Sequence, residues 1–381
     1  MSLFFSKAKR HHIVIDVGSN LLKAAIFDAP TSGTSPLNVK KITVKLGQSH
    51  QGRRVVDALH ELLFSLLKEK GSVPEKVVIG IGINMADVVM QDCAIDVANI
   101  RESLTPTHIK RSFHKLFDEH CESQHAFFGY PISLQANGYP IDISALSGQD
   151  PSFIKEITLR TMLLYLPDDI APRLMELKKM FGGMTIIFLA QQASYAEILI
   201  ETQKIKDAIL IDVGAAITTL IFIRNGVLMH LTSFLIGADR FTHRIIKKNS
   251  RKFLEAKDLT RQYTQGIVSK DEQTALSHVF SQEAEEWKKA FMQSLEAFYP
   301  IGPLPQDFYL FGGGSYMPEV RSALWSPDLT KSFSYHDSLS IHIVQASSIF
   351  NGDSLEGVLR GPEDVGLATL MYYSLYHTSF F

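Results

Sequence analysis

The chain has 381 residues, enough for two to four domains at roughly 100–200 residues each, and 45% of the residues are apolar and 20% charged. Its 40 acidic and 38 basic residues leave a formal net charge of −2, which removes the electrostatic signature of a nucleic-acid binder or a polybasic membrane protein. Two cysteines, Cys93 and Cys121, are too few for a disulfide framework and favour a reducing cytoplasm.

The apolar segments predict neither a signal peptide nor a transmembrane helix. Within residues 3–10, three apolar residues precede three basic ones, which is the reverse of the order in a signal peptide. The strongest apolar run, 208–223, contains Asp212 and Gly214 and is better interpreted as two strands than as a membrane span. Residues 3–10 could touch an anionic bilayer or form a frayed, solvated terminus. We therefore expect a cytoplasmic protein with membrane contact that is at most peripheral or made through a partner.

The first 84 residues have the pattern of one α/β half. Hydrophobic alternation and helical spacing predict strands at 13–15, 21–27 and 39–44, a helix at 55–70 and a strand at 76–83. A tight turn, Asp16-Val17-Gly18-Ser19-Asn20, joins the first two strands.

Residues 85–185 change in character and predict a small α+β domain inserted into the larger body. The predicted elements are a polar helix at 107–121, strands at 126–134 and 155–163, a helix at 168–181 and a strand at 184–189. A turn at Asn137-Gly138 follows the first of these strands.

The remaining chain repeats the opening pattern. A second half begins with 186–237, where Asp212-Val213-Gly214 follows a strand at 208–211 and leads into a β-rich return, as Asp16 does 196 positions earlier. Repetition of this kind indicates a duplicated domain. A helical subdomain is predicted at 238–305. The second half resumes at 306–381, with a strand at 308–311 and a closing helix at about 363–376.

The first turn has the composition of a phosphate-binding turn. Because Gly18 has no Cβ, the backbone N–H groups of the turn can approach a phosphate closely. Asp16 can hold Mg²⁺ through its water shell, since this ion prefers oxygen ligands. Ser19 and Asn20 can add donors, and Lys23 could reach a phosphate. For one copy alone, an ordinary glycine hairpin is the alternative.

Two later segments make the pattern more specific. The second turn repeats the arrangement, with Asp212 as a further metal-shell ligand and with Gly214, Ala215, Ala216 and Thr218 around it. The third is Gly312-Gly313-Gly314-Ser315, a turn that follows a strand, and residues 317–324 after it read as a helix start. Bare backbone at a helix N-terminus suits a nucleotide, although a flexible turn has the same composition.

The order of these three motifs resembles the actin superfamily of nucleotide-binding proteins, with phosphate motifs at 16–20 and 212–219 and an adenosine motif at 312–315. This resemblance implies an α/β, actin-like fold, a duplicated ribonuclease H-like architecture with two halves around a nucleotide cleft. It also implies ATP and Mg²⁺ as cofactors. Residues 255–263 resemble the helix that contributes to the purine pocket, which implicates Glu255, Asp258 and Arg261.

Within the superfamily, the chain resembles the cell-division protein FtsA and the pilus-assembly protein PilM. The resemblance rests on 224–245, on 361–370 and on the position of the insertion, which it implies to be SHS2-like. Ala215-Ala216 stands where FtsA prefers glycines, and Leu220 is more like PilM. The basic amphipathic helix with which FtsA normally anchors itself does not follow residue 376.

Several functions remain open at this point. The first is a cytoplasmic ATP-binding scaffold like FtsA, which would bind an FtsZ C-terminal peptide and link its filaments to the membrane machinery. The alternatives are a PilM-like protein that binds a PilN cytoplasmic tail, a small-molecule kinase of the same fold, and a nucleotide-free interaction module. Self-association into filaments is also compatible with the resemblance, whereas nucleic-acid binding is not expected.

Hydrolysis would need a group that orients the attacking water. Gln191 and Gln192 lie about where actin carries its water-positioning glutamine, so we expect at most slow ATPase activity, and solvated amides at a helix start are the alternative. The 14 histidines are scattered without metal-ligand spacing, and we see no acceptor-site signature of a kinase.

Overall fold

The computed structural model describes residues 11–30, 35–46, 52–70, 73–95, 105–124, 127–141, 154–181, 183–249, 252–335, 338–350, 355 and 357–377. The bilayer contact considered for residues 3–10 lies outside this part of the chain. Two compact units are present: unit 1 comprises Met1–Ile198, Ile349–Leu359 and Leu367–Phe381, and unit 2 comprises Leu199–Ser348 and Arg360–Gly366. None of the described helices is long and apolar enough to cross a membrane.

Unit 1 is built on a five-stranded first sheet in the order β3-β2-β1-β4-β9. Its strands are β1 His11–Val17, β2 Leu21–Asp28, β3 Leu37–Lys45, β4 Lys76–Ile81 and β9 Thr185–Ala190. The three strands β1, β2 and β3 pair antiparallel, whereas β1, β4 and β9 pair parallel. Every residue of β1 is buried, as expected for the central strand of such a sheet.

Unit 2 contains a second sheet with the same order and strand directions, β12-β11-β10-β13-β14. Its strands are β10 Ala208–Val213, β11 Thr218–Arg224, β12 Val227–Phe234, β13 Asp307–Phe311 and β14 Ser340–Ile343. Asp16 lies opposite Lys23 in the first sheet, and Asp212 lies opposite Thr219 in the second. The two aspartates therefore occupy equivalent positions, which confirms the predicted duplication.

A small antiparallel sheet, in the order β5-β8-β6-β7, forms the inserted α+β domain of unit 1. Its strands are β5 Asp87–Ile95, β6 Phe128–Ala136, β7 Tyr139–Ile141 and β8 Ile157–Tyr165. Helix α2, Pro106–Gln124, packs Ile109 and Phe113 against this sheet. Asn137 and Gly138 form the predicted turn, and both have positive φ angles.

Helices complete both units. The remaining ones are α1 Gly52–Lys70, α3 Ala171–Met180, α4 Gln191–Gln203, α5 Ala238–Asn249, α6 Phe253–Thr264, α7 Lys270–Glu296, α8 Pro318–Leu324, α9 Pro327–Ser332 and α10 Val365–Tyr376. Ser269 caps α7 by accepting from the backbone N–H of Glu272 at 3.2 Å. Trp287 and Phe291 of α7 lie in the apolar core of unit 2 together with residues of the second sheet.

The structure differs from the predicted organisation at two borders. A division at residue 186 assigns β9 to the second half, whereas β9 pairs with β4 of the first sheet. The closing helix also packs mainly in unit 1, where Leu370 lies so close to Gly80 that an added Cβ would be 2.9 Å from its Cδ1. The contacts that β9 and the closing helix make therefore place them in unit 1, whatever their position along the chain.

Candidate functional site

The first hairpin joins β1 to β2 and carries the predicted phosphate motif. The backbone N–H of Gly18 donates to Leu21 O at 3.0 Å, and a Cβ on Gly18 would lie 3.0 Å from that same oxygen. Asp16 is buried at the end of β1, and Lys23 faces it across the antiparallel pair. Ser19 and Asn20 are half-buried at the tip, so the structure brings all five predicted residues of this motif together.

A buried amide cluster lies beside Asp16 in unit 1. Gln191 is the first residue of α4, and its Nε2 donates to Asp16 Oδ1. Asn84 Nδ2 donates to Val17 O at 3.0 Å, and a Cβ on Gly82 would collide with the side chains of both Gln191 and Asn84. The sequence analysis did not identify Gly82 and Asn84, although their position just past a predicted parallel strand was a usable signal.

Gln192 differs from its neighbour in its contacts. The side chain is only 3% exposed, and its Oε1 is buried without a hydrogen-bond partner in the described part of the chain. A buried acceptor of this kind costs free energy unless a donor reaches it. Gln191 is thus committed to Asp16, whereas Gln192 retains an acceptor for a further group such as a water molecule.

The second hairpin reproduces the first. The N–H of Gly214 donates to Ile217 O at 2.9 Å, as Gly18 does to Leu21. At the start of α5, the N–H groups of Ala238 and Asp239 donate to the carbonyls of Gly214 and Ala215 at 3.0 and 2.8 Å. The N-terminus of α5 therefore fixes the hairpin, and these two amides are not available to an anion.

A buried hydroxyl anchors the return strand of this hairpin. Thr218 Oγ1 donates to Ile236 O at 2.7 Å and accepts from the indole N–H of Trp287 at 3.1 Å. Thr218 was predicted as a cofactor-binding residue, and this role stays a prediction beside the two contacts that its hydroxyl makes. Its place in the structure is to connect β11 with α7 and the segment before α5.

The glycine turn lies directly against the second hairpin. Gly312 has a φ of +86°, and an added Cβ would be 2.3 Å from Asp212 Oδ1 and 2.6 Å from Val213 O. Gly314 is equally confined, because its Cβ would be 2.4 Å from Val213 Cγ1. Gly313, in contrast, is exposed, and its Cβ would meet nothing nearer than 3.9 Å. Two of the three glycines are thus required by the closeness of the turn to Asp212.

Hydrogen bonds fix the end of the glycine turn. Ser315 Oγ donates to Gly312 O at 2.7 Å, and Arg321 Nε donates to Ser315 O at 2.9 Å. A 3₁₀ turn, Gly313–Tyr316, separates the glycines from α8, which starts at Pro318. The helix start predicted after the glycine turn is therefore present, with the 3₁₀ turn before it.

A carboxyl–phenol pair connects α6 to α8 behind this turn. Tyr263 OH donates to Glu319 Oε1, whereas Glu319 Oε2 is buried without a partner in the described part of the chain. Burial raises the pKa of Glu319 above its ordinary value, and burial with the neighbouring carboxyl raises the pKa of Tyr263. The sequence analysis assigned no role to either residue, although Tyr263 ends the segment 255–263 that it compared with a purine-pocket helix.

The three residues predicted for a purine pocket lie on the exposed side of α6. Arg261 Nη2 donates to Asp258 Oδ1 at 2.6 Å, and this hydrogen bond lowers the pKa of the Asp258 carboxyl. Glu255 is exposed one turn earlier. Their contact with a purine stays a prediction. No cluster of three or more metal-ligating side chains occurs among the described residues.

Unit 1 also contains a groove, which we call the strand-edge groove, with a volume of about 930 Å³. Residues 128–134 of β6 and 184–188 at β9 line it, with Phe113 and Phe117 of α2 on one wall. In the described chain, β9 has a strand neighbour only in β4, and β6 pairs with β7 only from Leu134 onward. Two strand segments, each with one edge that no described strand pairs with, therefore border the groove.

A polar cluster closes one end of the strand-edge groove. Glu197 of α4 accepts a hydrogen bond from Tyr130 OH through Oε2, and its Oε1 lies 3.2 Å from His377 Nδ1. The ring of His377 stacks on Tyr373 at a centroid distance of 5.3 Å. Burial and the Glu197 charge raise the pKa of Tyr130 well above its ordinary value, so this phenol stays a donor.

Two matching sheets with an aspartate and a glycine hairpin at the same position define an actin-like fold, which the chain shares with known structures. The structure titled PilM-PilN type IV pilus biogenesis complex is 14% identical with a TM-score of 0.62, over 96% of this chain and 98% of that chain. The ethanolamine utilization protein EutJ from Carboxydothermus hydrogenoformans is 10% identical with a TM-score of 0.50, over 96% and 90% of the two chains. No protein-family model and no curated protein sequence matches the chain.

Proposed function

We propose that the chain is an actin-like ATP-binding scaffold that attaches the cytoplasmic tail of a PilN-type partner and hydrolyses ATP slowly at most. The glycine turn against Asp212 carries the nucleotide part of the proposal, because backbone that approaches a strand-end carboxylate this closely has no structural substitute for glycine. Self-association into filaments stays a prediction.

The two hairpins each carry backbone N–H groups and a carboxylate, which suit a nucleoside triphosphate with magnesium. Within the described residues, no hydrogen bond engages the backbone N–H of Ser19, Ala215 or Ala216, so these groups can donate to phosphate oxygens. Asp16 and Asp212 each offer carboxylate oxygens that could hold Mg²⁺ through its water shell, and such an ion would neutralise phosphate charge. Lys23 would add a cation beside Asp16.

The two glutamines have different proposed roles. Gln192 Oε1, buried without a partner in the described part of the chain, would orient the attacking water by accepting a hydrogen bond from it. Gln191 would hold the Asp16 carboxylate in place instead. A single amide that orients water contributes to hydrolysis only by positioning, which agrees with slow ATPase activity at most.

The partner part of the proposal rests on the strand-edge groove and on the likeness to the PilM–PilN structure. Unpaired strand edges bind extended peptides through main-chain hydrogen bonds, with adjacent pockets selecting side chains. The groove offers such edges on β6 and β9 and apolar side chains on α2. An extended peptide with alternate apolar residues therefore suits it, as a tail segment can supply.

Thermal melting with and without Mg·ATP tests nucleotide binding. A ligand present at 100 times its Kd stabilises the folded state by about 2.7 kcal/mol, so wild-type protein should melt at a higher temperature with Mg·ATP. Asp212→Asn should weaken Mg·ATP binding by roughly 10–100-fold, as losses around a metal shell typically do. Asp271→Asn, an exposed aspartate of α7, is the matched control. The absence of any shift for wild-type protein would refute the nucleotide proposal.

Fluorescence polarisation with labelled synthetic peptides tests the partner. We expect a PilN-tail peptide to bind, and Ile187→Arg in the groove to weaken it at least about tenfold. Val89→Arg, at an exposed position of β5 outside the groove, should have no such effect. Binding of an FtsZ C-terminal peptide instead would favour the FtsA-like alternative. Fast ADP production that depends on a small acceptor would favour a kinase.

A further inference from the structure

Helix α4 connects the first hairpin to the strand-edge groove inside unit 1. Its first residue, Gln191, donates to Asp16 Oδ1. Glu197 follows six residues later, about 9 Å along the helix axis, and lines the groove. Both residues belong to one continuous helix, so a displacement of its first turn is transmitted to Glu197.

Glu197 contacts the two structures that border the end of the groove. Through Tyr130 it holds β6 of the inserted domain, and through His377 it holds the segment that follows α10. Tyr130 lies within the part of β6 that has no described strand partner on its groove side. A change in the position of Glu197 would therefore move the edge of β6 with which a peptide would pair.

The contact at the start of α4 involves the same carboxylate that the proposed function assigns to the magnesium shell. A metal-bound water that donates to Asp16 competes with Gln191 Nε2 for the oxygen lone pairs of this carboxylate. A ligand shifts a conformational equilibrium only if it interacts differently with the two states. Competition at Asp16 supplies such a difference, because it weakens the contact that fixes α4.

We propose that α4 couples the two sites of unit 1: Mg·nucleotide at the first hairpin releases Gln191 from Asp16, α4 shifts, and the Glu197–Tyr130 contact transmits this shift to the β6 edge of the groove. This inference rests on the proposed nucleotide binding. It assigns Gln191, Glu197 and Tyr130 as positioning residues. Because coupling is reciprocal, an occupied groove changes nucleotide affinity by the same factor.

Hydrogen–deuterium exchange with Mg·AMPPNP as the probe tests the coupling without any peptide. In wild-type protein, the exchange rates of segments 128–134 and 184–190 should change at least about threefold when Mg·AMPPNP binds, within the usual range of coupling. Tyr130→Phe removes the hydroxyl that donates a hydrogen bond to Glu197. It should abolish this nucleotide-dependent change while Mg·AMPPNP affinity stays within about twofold.

Matched variants separate coupling from simple support of the fold. Glu197→Gln should reduce the nucleotide-dependent change, whereas Glu201→Gln, one turn further along α4 and exposed, should not. A purely structural role for Tyr130 would change exchange equally with and without nucleotide. Melting temperatures verify that each variant is folded.

The outcomes distinguish the inference from the proposal beneath it. If Mg·AMPPNP raises the melting temperature but leaves wild-type exchange at the groove unchanged, the coupling is refuted and nucleotide binding stands. If the change persists in Tyr130→Phe, transmission through α4 and Tyr130 is refuted. If Mg·AMPPNP produces no thermal shift, the proposed nucleotide binding is refuted and the coupling with it.

Discussion

Two adjacent glycines of the glycine turn should respond oppositely to the same substitution. Gly312 has a positive φ, and an added Cβ would lie 2.3 Å from Asp212 Oδ1 and 2.6 Å from a backbone oxygen. Gly313 is exposed in a 3₁₀ turn, and an added Cβ would meet only Glu363 Cβ at 3.9 Å. Gly312→Ala and Gly313→Ala are therefore a matched pair that differs only in local geometry.

The destabilisation expected for Gly312→Ala is the sum of two separate contributions. An alanine held in a sparsely populated backbone region costs about 1–3 kcal/mol, and forcing a methyl group into an already filled site costs about 1–3 kcal/mol more. With about 4 kcal/mol as the middle of this range, Gly312→Ala should lower the melting temperature of unit 2 by roughly 8–16 °C. Gly313→Ala restricts the unfolded chain instead and should raise it by about 1–4 °C.

Thermal melting without nucleotide, followed by circular dichroism and by calorimetry, measures both variants. Calorimetry resolves whether the two units melt together, which matters because the substitution lies in unit 2. A separate transition for unit 2 should carry the whole shift of Gly312→Ala. Equal melting temperatures for the two variants would refute the conclusion that the close approach of the turn to Asp212 requires glycine.

Two further substitutions test buried polar contacts, and a third measurement tests coupling. The raised pKa of Glu319 means that the unfolded chain loses this proton from about pH 4.5 upward while the folded protein keeps it, so stability falls as the pH rises. Glu319→Gln should remove this loss of stability. If the urea-unfolding midpoints of variant and wild type change with pH by the same amount between about pH 5 and about pH 8, the raised pKa of Glu319 is contradicted. Thr218→Val leaves the Ile236 carbonyl and the Trp287 indole without their partner and should cost about 2–4 kcal/mol in urea unfolding, whereas a loss below about 0.5 kcal/mol would show that both groups find other partners. If the strand-edge groove and the first hairpin are coupled, titration calorimetry should give the same factor for the effect of Mg·AMPPNP on peptide affinity and for the reverse effect.

The sequence predicted the strands that occur in a repeated pattern and the strands that lead into a glycine turn. The strands around Asp16 and Asp212 were found because a strand, an acidic residue and a glycine turn occur twice in the same order. The glycine turn at Gly312 was predicted because three glycines follow an apolar strand and come after the two aspartate–glycine hairpins in the chain. The structure confirms the duplication, since both sheets have the same strand order.

The parts that were missed depend on contacts between distant segments. The sequence analysis did not assign β5, whose residues alternate only weakly between exposed and half-buried positions. It did not assign β14 either, which is a four-residue edge strand. Tyr263 and Glu319 are 56 residues apart, and Tyr130 and Glu197 are 67 apart, so neither pair forms a local pattern. Such pairs become visible only when helices and sheets are packed.

The two hairpins share the same strand pairing and the same glycine hydrogen bond, but the residues around their aspartates differ. Asp16 lies opposite a lysine and accepts from Gln191, so its carboxylate already has a cation facing it and an amide bound to it. Asp212 lies opposite Thr219, and the backbone of Gly312 approaches its carboxylate closely. A metal shell at Asp16 would therefore compete with the Gln191 contact, and one at Asp212 would lie beside the backbone of Gly312. The first hairpin is thus linked to α4 through the side chain of Gln191, whereas the second hairpin is linked to α5 through its backbone carbonyls.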